Sequence, residues 1–108
     1  MIRIEEYVWE GRSPFRRWFD GLDAQAAAGV TVALERLADG NVSNVKSIGE
    51  GVAELKINRG PGYRVYFGWD GDTLVILLGG GTKRRQSRDI EVALGRWRDY
   101  KARKGGKR

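Results

Sequence analysis

Residues 52–78 read VAELKINRGPGYRVYFGWDGDTLVILL, and their periodicity decides the fold. Ala53, Leu55 and Ile57 alternate with Glu54, Lys56 and Asn58, the period of a strand with one buried face. Gly60-Pro61-Gly62 then supplies turn residues. Tyr63, Val65, Phe67 and Trp69 alternate in the same way with Arg64 and Tyr66. Asp70-Gly71 is a strong two-residue hairpin signal. Thr73–Leu78 is almost continuously apolar, as in a strand covered on both faces. The stretch therefore predicts a three-strand meander with Lys56, Arg64 and Tyr66 side by side on the face opposite the apolar one.

Working outward, Ile2–Trp9 is rich in β-branched and aromatic residues and predicts a first strand. Ser13-Pro14 is a helix start, and Phe15, Trp18, Phe19 and Leu22 give an apolar face at helical spacing. Asp23 caps a second helix, Ala24–Ala38, which Gly40-Asn41 stops. The two helices are expected to form a hairpin packed on the sheet. Residues 41–51 are polar, contain two glycines and read as a loop. Gly79-Gly80-Gly81 reads as a tight strand-to-helix connection in which a ligand can approach the backbone closely. Ser87 caps a last helix with Ile90, Leu94 and Trp97 as its stripe. From Lys101 to Arg108 the stripe is lost, which predicts a basic, fraying tail after a single domain of residues 1–100. The order is β-α-α-β-β-β-α, an α+β fold with an antiparallel sheet and the helices on one face. Trp9, Trp18 and Trp97 read as packing residues, and Trp69 has no assigned role.

Composition narrows the chemistry. The chain has 108 residues, net charge +6, no cysteine and no histidine. A Ser-His-Asp triad, a Cys-His pair and histidine or thiolate metal sites are excluded. Nothing in the sequence calls for a cofactor or a metal. No secretory signal is read at the N-terminus, and no apolar run approaches the length of a membrane span, so a cytoplasmic location is expected. Charge is uneven. Residues 1–82 hold nine basic and eleven acidic residues, a balance of −2, whereas residues 83–108 hold eleven and three, a balance of +8. A charge run of this kind is usually a solvated tail, but it is also the electrostatic footprint of a nucleic-acid or acidic-protein partner.

Two basic clusters bracket the last strand: Lys56, Arg59 and Arg64 around the glycine-proline turn, and Lys83, Arg84, Arg85 and Arg88 after the glycines. If the turns bring them to one surface, that surface suits RNA. Cleavage of RNA by its own 2′-hydroxyl needs fixed positive charge at the phosphate. Arg64 fits best, since a planar guanidinium on a strand can hold two phosphate oxygens. Lys83, Arg84 or both would contact the same phosphate or its neighbour. Arg59, Arg85 and Arg88 would bind RNA, and Tyr66 would stack on a base or bond to phosphate. The proton acceptor stays open between Lys56, crowded by like charge, and Glu54 on the same face. Without histidine such a site needs a substrate already oriented, as mRNA is on a ribosome.

The segments 51–57, 60–67 and 77–83, with residues 86–90, resemble the RelE/ParE toxin superfamily. The nearest branch is the HigB-like, phage Gp49-like group of addiction module killer proteins. The joint pattern Gly60-x-Gly62-Tyr63-Arg64-Val65-Tyr66 with Leu78-Gly79-Gly80-Gly81-x-Lys83 carries the resemblance. It implies a RelE-like fold and the toxin half of a type II toxin–antitoxin pair that cleaves mRNA in the ribosomal A site. It also implies phosphate-handling roles for Lys56, Arg64 and Lys83 or Arg84, and a proton-transfer role for Asp89. The implied partners are the ribosome, mRNA and a small helix-turn-helix, HigA-like antitoxin that represses its own promoter. The family also contains ParE-like members that inhibit DNA gyrase without cleaving RNA, and the basic tail alone would satisfy a non-catalytic nucleic-acid-binding module.

Overall fold

The computed structural model describes residues 1–106. In chain order it holds β1 (Arg3–Glu6), α1 (Pro14–Asp20), α2 (Ala24–Ala38), β2 (Val45–Gly49), β3 (Val52–Ile57), β4 (Tyr63–Asp70), β5 (Leu74–Thr82), a 3-10 turn (Lys83–Arg85) and α3 (Gln86–Gly106). The five strands form one sheet in the order β1-β5-β4-β3-β2. This is a mixed α+β fold with one strand more than the sequence predicts.

The extra strand is β2, where the sequence reads as a loop. It pairs antiparallel with β3 through a register shift between Ser47 and Gly49. Val45 packs towards one side of the sheet and Ile48 towards the other. The shift thus breaks the period-two pattern that would have betrayed a strand. The sheet is also mixed rather than antiparallel, because β1 runs parallel to β5, with Arg3 opposite Leu74 and Glu6 opposite Leu77. A parallel neighbour must arrive by a crossover, and the helices between β1 and β2 belong to it.

Helix boundaries follow local chemistry. The Ser13 hydroxyl accepts from the Arg16 N–H at 3.0 Å, and Pro14 occupies the first turn of α1. Asp23 accepts from the Ala26 N–H at 2.9 Å at the start of α2. α1 makes its main contacts with β5 and α2 with β3, so each packs on the sheet. Beneath them lies an apolar core of Phe15, Val30, Leu37, Ala53, Leu55, Val65, Phe67 and Leu77.

The predicted one-sided packing is not what forms, because α3 covers the opposite face. Ala93 and Trp97 close a second core with Tyr7, Val52, Tyr66, Ile76 and Leu78. The Trp97 indole lies directly over Gly68, where any Cβ would collide with the ring, and its Nε1 donates to the Glu50 carbonyl at 2.8 Å. Farther along, Tyr7 and Tyr100 donate to Asp99 and Asp70, each at 2.6 Å, and Lys104 reaches Asp70 at 2.6 Å. These bonds hold α3 past Lys101 as far as Gly106; Lys107 and Arg108 lie outside the described residues.

Gly79, Gly80 and Gly81 are not a connection but the end of β5. Each accepts a helix side chain in the space a Cβ would fill: Arg96 over Gly79, Trp18 over Gly80 and Asp89 over Gly81. A bulge at Leu78 shifts the register, so Tyr66 faces Gly79 and Arg64 faces Gly81. The glycines are thus required by tertiary approach from both sides, not by a turn.

Candidate functional site

Register builds the site row by row. Lys56 on β3 lies opposite Arg64 on β4, which lies opposite Gly81 on β5. Glu54, Tyr66 and Gly79 form the adjacent row. All of these side chains, or the space a glycine leaves, belong to the α3 face. The chain leaves β5 at Thr82, and the Lys83 N–H donates to the Gly62 carbonyl at 3.0 Å. The same carbonyl accepts from Arg64 Nη1 at 2.9 Å. The turn at Gly60-Pro61-Gly62 and the start of the 3-10 turn therefore meet at one atom. Gly62 sits at φ 75°, and a side chain there would crowd both Lys83 and Arg64.

Register sets Lys56 beside Arg64, and the Lys83 backbone reaches the carbonyl that Arg64 also bonds, but Arg64 is not an open phosphate fork. Its guanidinium is only 5% exposed, with Nε 3.4 Å from Glu54 Oε1. Gln86, the first residue of α3, donates from Nε2 to both Glu54 oxygens, at 2.9 and 3.2 Å. The Glu54 carboxylate is thus held by Arg64 from the sheet and by Gln86 from the helix. Two-residue alternation places Glu54 and Arg64 on one face, but nothing local announces that Gln86 will close over them. A buried pair of this kind is strongly interdependent, because either partner alone would be an uncompensated charge in a poorly solvated place.

The remaining predicted residues separate into groups. Lys56, Lys83, Arg84, Arg85 and Arg88 are exposed. Asp89 is part-buried, and its Oδ2 has no hydrogen-bond partner. Burial pushes its pKa up, against the opposing pull of Arg85, Arg88 and Arg96. Tyr66 cannot stack on a base where it stands: it is 1% exposed, and its hydroxyl has no partner. Burial, and then the nearby Glu54 and Asp89 carboxyls, push its pKa up as well. Arg59 does not join the site, since its aliphatic stem lies against Gly29 of α2 on the other side of the sheet.

Three features escape the sequence reading. Arg96 is one: burial lowers its pKa, and its Nη1 donates to the Leu78 carbonyl at 2.8 Å. The second is a cleft of about 1080 Å³ between α1, the end of β5 and α3, lined by Tyr63, Tyr66, Thr82, Asp89 and Arg96 among others. The third is Trp9, which reads as a packing residue but is 55% exposed at the lip of that cleft. Only the Glu10-Gly11 pair, a turn signal next to Trp9, hints at it in the sequence.

Among the described residues no helix is long and apolar enough to cross a membrane. The chain is similar over 80 residues, at 41% identity, to an uncharacterized protein of Haemophilus influenzae strain Rd; the match covers 73% of this chain and 81% of that one. Residues 17–98 match the family described as phage derived protein Gp49-like (DUF891). That span includes both basic clusters, the three glycines and most of α3, and membership is consistent, at the level of the family, with the toxin of a toxin–antitoxin module. By extent of match and by identity, the chain belongs to the phage-derived Gp49-like protein family.

Proposed function

We propose that this protein is the toxin of a type II toxin–antitoxin pair, of the HigB-like branch of the RelE/ParE superfamily, and that it cleaves mRNA held in the ribosome. The observation that carries the reading is the meeting of two distant basic segments at the Gly62 carbonyl, which accepts from Arg64 Nη1 and from the Lys83 backbone N–H, with Lys56 opposite Arg64 on the neighbouring strand. Two exposed lysines beside a strand arginine offer the positive charge that a phosphorane needs, once phosphate displaces Glu54 from Arg64.

In the proposed step the 2′-hydroxyl loses its proton and its oxygen attacks the adjacent phosphorus. The O2′–P bond forms, the P–O5′ bond breaks, and a proton reaches the departing 5′-oxygen. The products are a 2′,3′-cyclic phosphate and a 5′-hydroxyl. Arg64 and Lys83 stabilise the phosphorane, with Arg84 beside them. Lys56 or Glu54 takes the 2′-proton. Asp89, whose burial favours the protonated form, supplies the proton to the 5′-oxygen. The incoming phosphate competes with Glu54 for Arg64, so engagement of substrate exchanges one anion for another at a single guanidinium. Ribosome-bound mRNA supplies the orientation that a site without histidine lacks. The partner is a small DNA-binding antitoxin with an acidic segment complementary to this basic surface, and the site of action is the cytoplasm.

The burial of Arg64 with Glu54 favours a second reading, a ParE-like inhibitor of DNA gyrase in which the pair is purely structural. Induction in bacteria with mapping of mRNA ends separates the two. Codon-phased cuts on translated messages that disappear in Lys83→Ala support the nuclease. Arrest with an SOS response and intact messages rejects it in favour of gyrase.

A further inference from the structure

Between β1 and α1 the chain makes a two-residue turn at Glu10-Gly11. Both residues have positive φ, 49° and 78°. Trp9 and Arg12 exchange both backbone hydrogen bonds across it, at 2.9 and 3.1 Å. This is the tight hairpin geometry that glycine and asparagine adopt readily and glutamate adopts at a cost of about 1 kcal/mol. Directly opposed residues project their side chains to the same side of the ribbon. The strained turn therefore presents an indole and a guanidinium together, with the tryptophan 55% exposed.

Both residues form a lip of the cleft between α1 and α3, where Arg17 and Arg96 also contribute. The floor includes the end of β5. β1 pairs with β5 only as far as Leu77, and among the described residues no strand continues along Gly79–Thr82 on that side. Tyr66 lies in the floor with its buried hydroxyl unpartnered, so the cleft has unmet hydrogen-bonding capacity. Cations outnumber carboxylates along it: Arg12, Arg17 and Arg96 against Glu10 and Asp89. Thr82 and Asp89 line the cleft, and Thr82 immediately precedes Lys83, so the cleft adjoins the basic segment.

We infer that this cleft binds a nucleotide of single-stranded RNA flanking the cleaved phosphate, its base stacked on Trp9 and its phosphate held by Arg12 and Arg17. The inference rests on the reading of the protein as acting on RNA. An aromatic face beside exposed cations matches what every nucleotide offers, a π-surface and a phosphate, and it is the usual composition of a single-strand path. An acidic peptide would use the arginines but gives no reason for the exposed indole.

The test is a fluorescence-anisotropy titration of a short, labelled 2′-O-methyl RNA, which cannot be cleaved, into the full chain at low salt. Trp9→Ala should weaken binding about ten-fold, the effect of losing one stacked base, and Trp9→Phe should restore most of it. Thermal melts should match the wild type, since the indole is largely in solvent; should Trp9→Ala fail to fold, Trp9→Phe and Arg12→Ala carry the test. Equal affinity of wild type and Trp9→Ala would overturn the cleft assignment and leave the RNA reading standing. Failure of the wild type to bind this RNA, or binding of poly-glutamate in its place with the same sensitivity to Trp9→Ala, would also overturn it. Codon-phased cleavage in cells judges the RNA reading separately.

Discussion

The two faces of the sheet are built on different principles. Under α1 and α2 the layer is mostly apolar, filled by Phe15, Val30, Leu37 and Phe67, with the Glu6–Arg16 ion pair between β1 and α1 at its margin. Under α3 the strands present Glu54, Arg64 and Tyr66, all buried, together with Gly68, Gly79 and Gly81. The first face is held by non-directional burial, which tolerates change of shape if volume is kept. The second is held by named pairs: Glu54 with Arg64 and Gln86, Trp97 with the Glu50 carbonyl, Arg96 with the Leu78 carbonyl. Such a face costs stability where a polar atom goes unpartnered, and it is also where a substrate can substitute for a protein partner. Both faces hold the fold together, but the α3 face does so through pairs that a ligand could replace, which is why the proposed chemistry is placed there.

That contrast is open to attack. The largest effect should come from Arg64→Ala, which strands the Glu54 carboxylate in a buried site and should lower unfolding free energy by about 3–5 kcal/mol in urea melts. A loss under about 1 kcal/mol, as for exposed pairs, would show that the Glu54–Arg64 pair does not hold the face together. Next come Gly80→Ala and Gly68→Ala, which push against the Trp18 and Trp97 rings on opposite faces. Both should cost about 1–3 kcal/mol, because overpacking does not depend on polarity. Tyr66→Phe should leave stability unchanged or raise it by about 1 kcal/mol, since the hydroxyl it removes has no partner. A loss comparable to that of other buried tyrosines would reveal a partner.

The smallest effect concerns pH. The folded pKa of Asp89 is raised by burial, so its contribution to stability is fully present below its unfolded pKa and is lost as pH rises through the folded value. Asp89→Asn should therefore be more stable than wild type at about pH 7, with the gap closing near pH 3, where Asp89 is protonated in both states. Asp70 and Asp99 have the opposite sign: hydrogen bonds from Lys104 and Tyr100 lower the pKa of the first, and one from Tyr7 that of the second. Their contribution is present above the unfolded pKa and is lost as pH falls through the folded value. Acid should thus loosen the anchoring of α3 while relieving Asp89.

Much of this is legible in the sequence where one residue's pattern reports one neighbour. Alternation in 52–57 and 63–69 assigns Ala53, Leu55, Val65 and Phe67 to one core, and the boundaries of α2 follow from Asp23 and Gly40. The placing of Lys56 beside Arg64, and of the Lys83 backbone near both, follows from two turns. What cannot be read depends on partners far along the chain. β2 is hidden because its two inward residues serve opposite faces across a register shift. The glycines of β5 look like a loop because the groups that require them, Trp18, Asp89 and Arg96, lie on two different helices. Arg64 reads as an exposed cation because α3, whose Gln86 bonds its partner Glu54, is a helix that the pattern places on the other side.

RNA cleavage by the basic residues around Gly62 is the proposal on which the rest depends. The most direct measurement is reaction of the purified protein with programmed ribosomes, followed by mapping of the mRNA ends and identification of their termini. The account predicts cuts within the A-site codon leaving a 2′,3′-cyclic phosphate and a 5′-hydroxyl, strongly reduced in Lys83→Ala and Arg64→Lys, variants that keep the fold and a positive charge beside Glu54. Intact mRNA with a well-folded wild-type protein, or cleavage unaffected by both variants, would contradict it.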